Sequence, residues 1–291
     1  MHTVTIPNAT SNSVKNDQDT FSFRRYLPHP ALRPYIDYYY IFHVPGDLSA
    51  ELPQTLVPLN HPLLHFSIGT NFKISDLRDH FLPVPKTIIS GFQTESTKLV
   101  PSPGMITIGI FFRPQGMKEL LNIPMDSLTN RAFDARDILG NSVWYVYESL
   151  VEETIVSNKI KIIDSYLLTF LDDQQINDNL ISHILFTMYD QRGLSSIQDL
   201  SKQFQISRQH LYRLFNKSLG LSPKVFGRLL RFHHLLNLIK TQPQSTWQDI
   251  LFNSGFYDQA HMIKEFTSIM GHSPTSVTDQ NLSVSDFYIQ A

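Results

Sequence analysis

Apolar and polar positions follow two different rhythms along this chain. Between residues 21 and 112 the rhythm is that of strands. Tyr35–Val44 is aromatic and β-branched, Leu63–Gly69 alternates, and Thr87–Phe92 and Met105–Phe112 follow, with Pro, Gly and Asn between them. Many short strands broken by turn residues predict a barrel or sandwich. From residue 115 the spacing becomes helical. Short or medium helices are expected at Met117–Leu121 and Asp137–Val151, and Pro114 suits the first turn of the former. Ile160–Leu171 carries apolar residues at i, i+3, i+4 and i+7. Such a stripe either covers the sheet or pairs with its twin in a dimer. The polar run Asp172–Asn177 then reads as a domain boundary. Beyond it, Ile176–Tyr189 and Pro223–Lys240 are helices, the second long and opened by its proline.

Two similar segments lie about fifty residues apart within 194–276. Ser207, Leu211, Arg213 and Phe215 fall on Asp258, Met262, Lys264 and Phe266 at an offset of 51, whereas Leu200 and Ile206 fall on Ile250 and Phe256 at 50. The second copy therefore has one extra residue, placed in a turn, where insertions are tolerated. Each copy reads as helix, tight turn, helix, closed by Gly220-Leu221-Ser222-Pro223 or Gly271-His272-Ser273-Pro274. Ser207 and Asp258 suit the N-cap of the second helix of each copy, since a side-chain oxygen there accepts from the exposed amides of the first turn. Leu211, Leu214 and Phe215 form one buried stripe, and Met262 and Phe266 the other.

The opposite faces carry hydrogen-bonding groups. In the first copy Arg208, Gln209, Tyr212, Arg213, Asn216 and Lys217 project; in the second, Gln259, Ala260, His261, Ile263 and Lys264. A recognition helix needs such groups on its first turns, because those turns reach base edges in the major groove. Arg can bond guanine bidentately and Gln adenine, and Ile263 either suits a thymine methyl or leaves the second motif reading little sequence. A lone polar helix face is as readily explained by solvation. Two in tandem, each ended by Gly-x-Ser-Pro, point to DNA.

At these residues residues 176–279 resemble the double helix-turn-helix domain of the AraC/XylS transcription regulators. Leu200-Ser201, Ser207 to Phe215, Gly220 to Pro223, Gly255-Phe256-Tyr257-Asp258-Gln259, Met262 and Phe266 carry the resemblance. It covers about a third of the chain. It implies a sequence-specific DNA-binding regulator, not an enzyme, with Gln259, His261 and Lys264 toward the bases and a structural role for Arg231. Leu251, Ala260, Met262 and Ile263 depart from the usual pattern, and the second helix holds one cation against three in the first, so the first motif is expected to carry more of the affinity. Residues 21–112 resemble, less closely, the cupin-like sensor domain of the same regulators. The expected architecture is α+β with two domains: a cupin-like β-barrel with appended helices over 21–173 and an all-α domain over 174–280. A flexible arm (1–20) and a short tail (281–291) flank them.

Charge sharpens this reading. The chain is net −2, but residues 1–189 hold 14 Lys/Arg against 19 Asp/Glu, and residues 190–291 hold 10 against 7. The positive excess sits with the repeat, as phosphate binding requires. There are no cysteines, which excludes disulfides, thiolate metal sites and the cysteine-borne alkyl transfer of some proteins with this domain. No 18-residue apolar run and no leader pattern occur, so a cytoplasmic protein with no membrane partner is expected. A small barrel can enclose one ligand. Tyr38, Tyr40, Phe42, His65 and Phe112 are candidates to line it, with ordinary core packing as the alternative. His61 and His65 are four apart, but Pro62 interrupts a strand there, and no carboxylate or third histidine completes a compact metal set. No metal or cofactor is expected. Promoter DNA is the expected partner; a small-molecule effector, RNA polymerase and a second copy of the chain stay open.

Overall fold

The computed structural model describes residues 22–47, 53–75, 80–171, 180–242 and 244–274. The arm, the C-terminal tail and the boundary segment Asp172–Asn177 lie outside them. Ten strands come first: β1 (Ser22–Tyr26), β2 (Ile36–His43), β3 (Gln54–Leu56), β4 (Leu63–Ser67), β5 (Lys73–Ser75), β6 (Phe81–Pro83), β7 (Thr87–Ser90), β8 (Thr97–Val100), β9 (Ile106–Phe112) and β10 (Ala132–Asp134). Helices α1 (Gly116–Leu121) and α2 (Met125–Leu128) precede β10 in the chain. After it come α3 (Ala135–Leu139), α4 (Asn141–Glu152) and α5 (Val156–Leu168).

The strands form two antiparallel sheets, one in the order β1-β2-β9-β4-β7-β10 and the other β3-β8-β5-β6. Among the described residues no strand pairing joins the two, so the expected barrel is an open pair of sheets. The large sheet is covered on both faces, which is why β4 is buried at every position and β9 reads as a continuous apolar run. On one face Tyr39, Leu64, Phe66, Ile108, Ile110 and Phe112 meet α1 to α5. On the other, Tyr38, Tyr40, Phe42, Leu63, Ile88 and Phe111 meet the small sheet. Gly109 makes a close approach possible between neighbouring strands of the large sheet. It lies opposite Tyr40 in the register, and a Cβ there would stand 1.9 Å from the Tyr40 ring.

Three local expectations change. Residues 137–151 are two helices, because Gly140 at φ 74° ends α3 and starts α4. Pro114 sits in the turn before α1, whose N-cap is Gln115. The apolar stripe of α5 (Ile160, Ile163, Tyr166, Leu167) is buried in its own domain, so a dimer would have to use another surface.

The C-terminal domain is helical: α6 (Leu180–Asp190), α7 (Ile197–Gln203), α8 (Arg208–Leu219), α9 (Pro223–Thr241), α10 (Trp247–Ser254) and α11 (Gln259–Met270). It has two cores. One gathers Ile181, Leu185, Leu200, Leu211, Phe215 and Phe226; the other Phe232, Leu236, Ile250, Phe256, Met262 and Phe266. Helix α9 feeds both, and its 19 residues span about 28 Å at 1.5 Å each.

Each of these cores also takes one residue from the N-terminal domain. Phe92, fully buried, stands edge-on to Phe226 at 5.9 Å in the first. Val57, 1% exposed, enters the second. Polar contacts reinforce both. Thr129 Oγ1 donates to Gly220 O (2.9 Å) at the end of α8, and Gln115 Nε2 donates to Ser182 Oγ (3.1 Å) on α6. Ser96 donates from its N to Ile269 O (2.8 Å) and from its Oγ to Met270 O (3.1 Å) at the end of α11. Asn130 ties the two contact loops together: its Oδ1 accepts from Thr94 N (2.7 Å) and its Nδ2 donates to Thr94 Oγ1 (2.9 Å).

Candidate nucleic-acid interface

Each half of the repeat is built by the same local chemistry. Ser196 caps α7, its Oγ accepting from Asp199 N (3.0 Å). In α10 the corresponding Thr246 and Asp249 form a reciprocal capping box: Thr246 Oγ1 accepts from Asp249 N (3.2 Å) and Thr246 N donates to Asp249 Oδ2 (3.0 Å). Thr246 Oγ1 also donates to Asp249 Oδ2 (2.7 Å), and that bond, with the one from Thr246 N, holds the Asp249 carboxyl below its usual range. The turns then need a left-handed residue, supplied by Gln205 at φ 53° and by Gly255 at φ 74°. From there the first copy reaches its N-cap Ser207 in two residues and the second its N-cap Asp258 in three. The extra residue is Tyr257, 94% exposed. Ser207 Oγ accepts from His210 N (3.1 Å), and Asp258 Oδ1 from His261 N (2.7 Å), the two caps expected of these residues.

The first Gly-x-Ser-Pro has a backbone meaning. Gly220 is the left-handed C-cap of α8, Ser222 caps α9 by accepting from Val225 N (3.2 Å), and Pro223 opens it. A Cβ on Gly220 would meet Met125 O at 2.3 Å, so the same glycine lets α2 lie against the end of α8.

All nine side chains expected to face DNA are on the surface. Helix α8 buries Leu211, Phe215 and Leu219 and exposes Arg208, Gln209, Tyr212, Arg213 and Lys217. Helix α11 buries Met262, Phe266 and Ile269 and exposes Gln259, His261, Ile263 and Lys264. Arg213 is steadied by its neighbour one turn back, His210, at 3.2 Å through Nδ1. The cations stand on the outer face and the helices' C-terminal ends face the N-terminal domain, so the first turns of both helices are left open.

A residue absent from the sequence reading, Glu265, sets how the halves sit. Arg231 on α9 donates from Nη2 to both Glu265 oxygens (3.0 Å each) and from Nη1 to Gly193 O (2.8 Å). One guanidinium thus joins the α6–α7 turn, the long helix and α11. Arg231 is structural here. Arg228, also on α9, donates to Ser268 Oγ at 2.9 Å. Glu265 further lies 3.6 Å from His261 Nε2. The pattern of α11 held one warning of this: Glu265 falls beside Phe266 on the side turned to α9, where a carboxylate needs a partner. Phe252 (87% exposed) and Tyr257 are exposed aromatics of the second unit that sequence reasoning did not single out.

The ligand candidates divide. A cavity of about 220 Å³ lies between the sheets, and Tyr40 and His65 line it. Tyr38 and Phe42 share that apolar layer but are not among the lining residues, and Phe112 lies on the opposite face of the large sheet. The reason is the two-residue period of strands: on β9 it is Phe111 that faces the small sheet. His61 lies before β4 and meets Phe112 O through Nδ1 (2.9 Å). Among the described residues no group of three or more His, Cys, Asp or Glu could hold a metal, and no helix is long and apolar enough to cross a membrane.

Two capped helix-turn-helix units on one connecting helix define a double helix-turn-helix DNA-binding domain. Comparison with known proteins agrees. Residues 200–280 match a family described as a helix-turn-helix domain, and residues 24–134 match a domain of unknown function, DUF6597. The chain is 29% identical over 92 residues to the lactose operon transcription activator of Staphylococcus xylosus, covering 32% of this chain and 33% of that protein. It is 26% identical over 116 residues to the Msm operon regulatory protein of Streptococcus mutans, covering 39% and 41%. It thus spans a third to two fifths of the curated relatives it matches. ToxT from Vibrio cholerae is similar in outline, at 13% identity and TM-score 0.45 over 83% of this chain and 97% of that one. The C-terminal domain is of the AraC/XylS type.

Proposed function

We propose that the chain is a non-enzymatic transcription regulator that reads a promoter through both units of its C-terminal domain. The observation that carries this is the repeated geometry: two N-capped helices whose inner faces and C-terminal ends are buried, and whose first turns and polar faces are not. Arg213 is the foremost base contact, followed by Gln209 and Tyr212. Gln259, His261 and Lys264 serve the second unit, and Ile263 meets a thymine methyl. Arg208 and Lys217 contact the backbone together with amides at the helix starts. The role is a cytoplasmic one. The N-terminal domain receives the controlling signal, and RNA polymerase and a second copy of the chain are the proteins such a regulator acts with.

The test is selection of the full chain on random duplexes at near-physiological salt. Two enriched boxes about one helical turn, roughly 34 Å, apart are expected. A single box would reduce the second unit to a phosphate anchor. Absence of any enriched sequence would remove the proposal.

A further inference from the structure

Two recognition helices read two boxes only if their separation and phase are fixed, a requirement that rests on the two-unit reading above. One inserted base pair moves a box by about 3.4 Å along the duplex and turns it by about 35°. Helix α9 and the Arg231 guanidinium join the two units directly. A second join is made by two loops of the N-terminal domain. The last carbonyls of a helix have no partner within it, so each recognition helix ends on acceptors that another group must satisfy. At the end of α8, Gly220 O accepts from Thr129 Oγ1 at 2.9 Å. At the end of α11, Ile269 O accepts from Ser96 N at 2.8 Å and Met270 O from Ser96 Oγ at 3.1 Å.

The two donors stand on loops that are fastened to each other. Gly91 N donates to Leu128 O (3.3 Å) and Asn130 N to Phe92 O (2.9 Å), which carries the pairing of β7 with β10 onward. Asn130, at φ 57°, then reaches Thr94: its Oδ1 accepts from Thr94 N (2.7 Å) and its Nδ2 donates to Thr94 Oγ1 (2.9 Å). A short path of bonds thus runs from the end of α8 through Thr129, Asn130, Thr94 and Ser96 to the end of α11. With α9 and Arg231 it closes a ring. Closing a ring removes relative freedom that a single connection leaves, and such preorganisation lowers the entropy lost on binding. We propose that this bridge of Thr129, Asn130, Thr94 and Ser96 is a positioning element for DNA reading: it holds the two recognition helices at the separation and phase of one pair of boxes. The N-terminal domain is then part of the ruler. The four residues stand at the C-terminal ends of α8 and α11, away from the first turns, and act through those helices.

The experiment compares the full natural chain with Asn130→Gly and Asn130→Asp. Asn130 is exposed and glycine accepts its left-handed φ, so the first change cuts the tie and leaves the cores intact. Aspartate keeps the acceptor for Thr94 N and loses only the donor. Affinity is measured on duplexes with two boxes at the selected spacing, with one base pair inserted between them, and with one box alone. The natural chain is expected to lose about a hundredfold on insertion, the order of gain that linking two modules gives. In Asn130→Gly that ratio falls to about tenfold, because the loosened second unit follows the displaced box, and Asn130→Asp lies between. Single-box affinity is the same in all three. An unchanged ratio in Asn130→Gly would overturn the proposal, since α9 and Arg231 would then suffice. So would a loss on one box equal to the loss on two, because the bridge would then only support the fold of a unit. A distance measured without DNA separates failure of the bridge from failure of two-box reading. The chain has no cysteine, so spin labels enter only at Asn216→Cys and Thr267→Cys, equivalent positions 51 residues apart on α8 and α11. Pulsed electron paramagnetic resonance is expected to give one narrow distance in the natural background and a broad distribution with Asn130→Gly. No broadening would overturn the bridge. Broadening in a protein whose natural chain shows no spacing preference would remove the two-box reading and leave the bridge as the clamp on both helices.

Discussion

Phe92→Ala isolates what the N-terminal domain contributes to the first helix-turn-helix unit. The ring is fully buried, edge-on to Phe226, in a core otherwise made of α6 to α9 residues such as Ile181, Leu211 and Phe215. Removing a buried phenylalanine costs about 3–5 kcal/mol, the transfer of the ring plus the cavity left behind. A loss near 4 kcal/mol raises the population of local opening by about a thousandfold. The companion change, Val57→Ala, removes a smaller side chain from the second core and should cost about 1–2 kcal/mol. Hydrogen exchange of the full chain by mass spectrometry reads both. For Phe92→Ala, protection is lost in α6 and α8 while α10 and α11 keep theirs. For Val57→Ala the order reverses. The two cores are separate clusters joined through α9 and the Arg231 link, so most of each loss should stay local. If either variant loosens both units equally, the separate-core description is wrong. If Phe92→Ala loosens only the strands of its own domain, the residue is not part of the first unit.

Three further outcomes are expected. Arg213→Ala should weaken binding at the specific site by about 1–3 kcal/mol and relax the base preference there, read by competition against single-base variants; an equal loss on random DNA would remove the base contact. Arg231→Met or Glu265→Gln alone should destabilise the chain by about 3 kcal/mol in urea, because each strands the other group in a site where Glu265 is 8% exposed, while Arg231→Met with Glu265→Leu should cost clearly less than the sum; additive losses would mean the pair does not interact. Burial pushes His65 and His233 down to about 4, below their value near 6.5 in an unfolded chain, so the unfolded state binds more protons between those values. Stability is therefore full above about pH 6.5 and falls as pH drops toward 4, each histidine contributing up to about 1.4 kcal/mol per pH unit. His233→Gln should lower that slope by one proton between pH 6.5 and 5, measured by urea melts; an unchanged slope would mean that His233 is not neutral in the folded chain.

Much of the C-terminal domain was legible because its signals are local. A repeat, a cap and a helical period each lie within a few residues, and Ser207, Asp258, Gly220 and Pro223 do in space what their chemistry suggests in sequence. The long strands β2, β4, β7 and β9 were legible for the same reason. The three-residue strands β3, β5, β6 and β10 were not: nothing in a three-residue run such as Lys73–Ser75 marks it as a strand until its partners are known. Placing ligand candidates failed where it needed the face of a strand. Phe111 and Phe112 are adjacent and equally apolar, and only the register decides which meets the small sheet. Glu265 went unread because its partner, Arg231, lies 34 residues away.

The least legible feature is the seam between the two domains. Phe92 ended a predicted strand and Val57 sat in an uncharacterised stretch, yet each completes a core of the other domain. Both adjoin the cavity: Val57 lines it, and Phe92 is followed by Gln93, which lines it too. The two contact loops are fastened to one another through Thr94 and Asn130. A change in the cavity wall thus has two short routes outward, one into each unit, and both end on packed side chains. Packed cores respond to displacement by switching between discrete arrangements rather than by stretching. The unit nearer the cavity wall is the second, whose recognition helix has fewer cations. If its affinity for DNA is the smaller contribution, a modest change in its position shifts two-box reading more than it shifts overall attachment. Control of this kind would then act on specificity, with the first unit and its Arg208, Arg213 and Lys217 holding the chain on DNA.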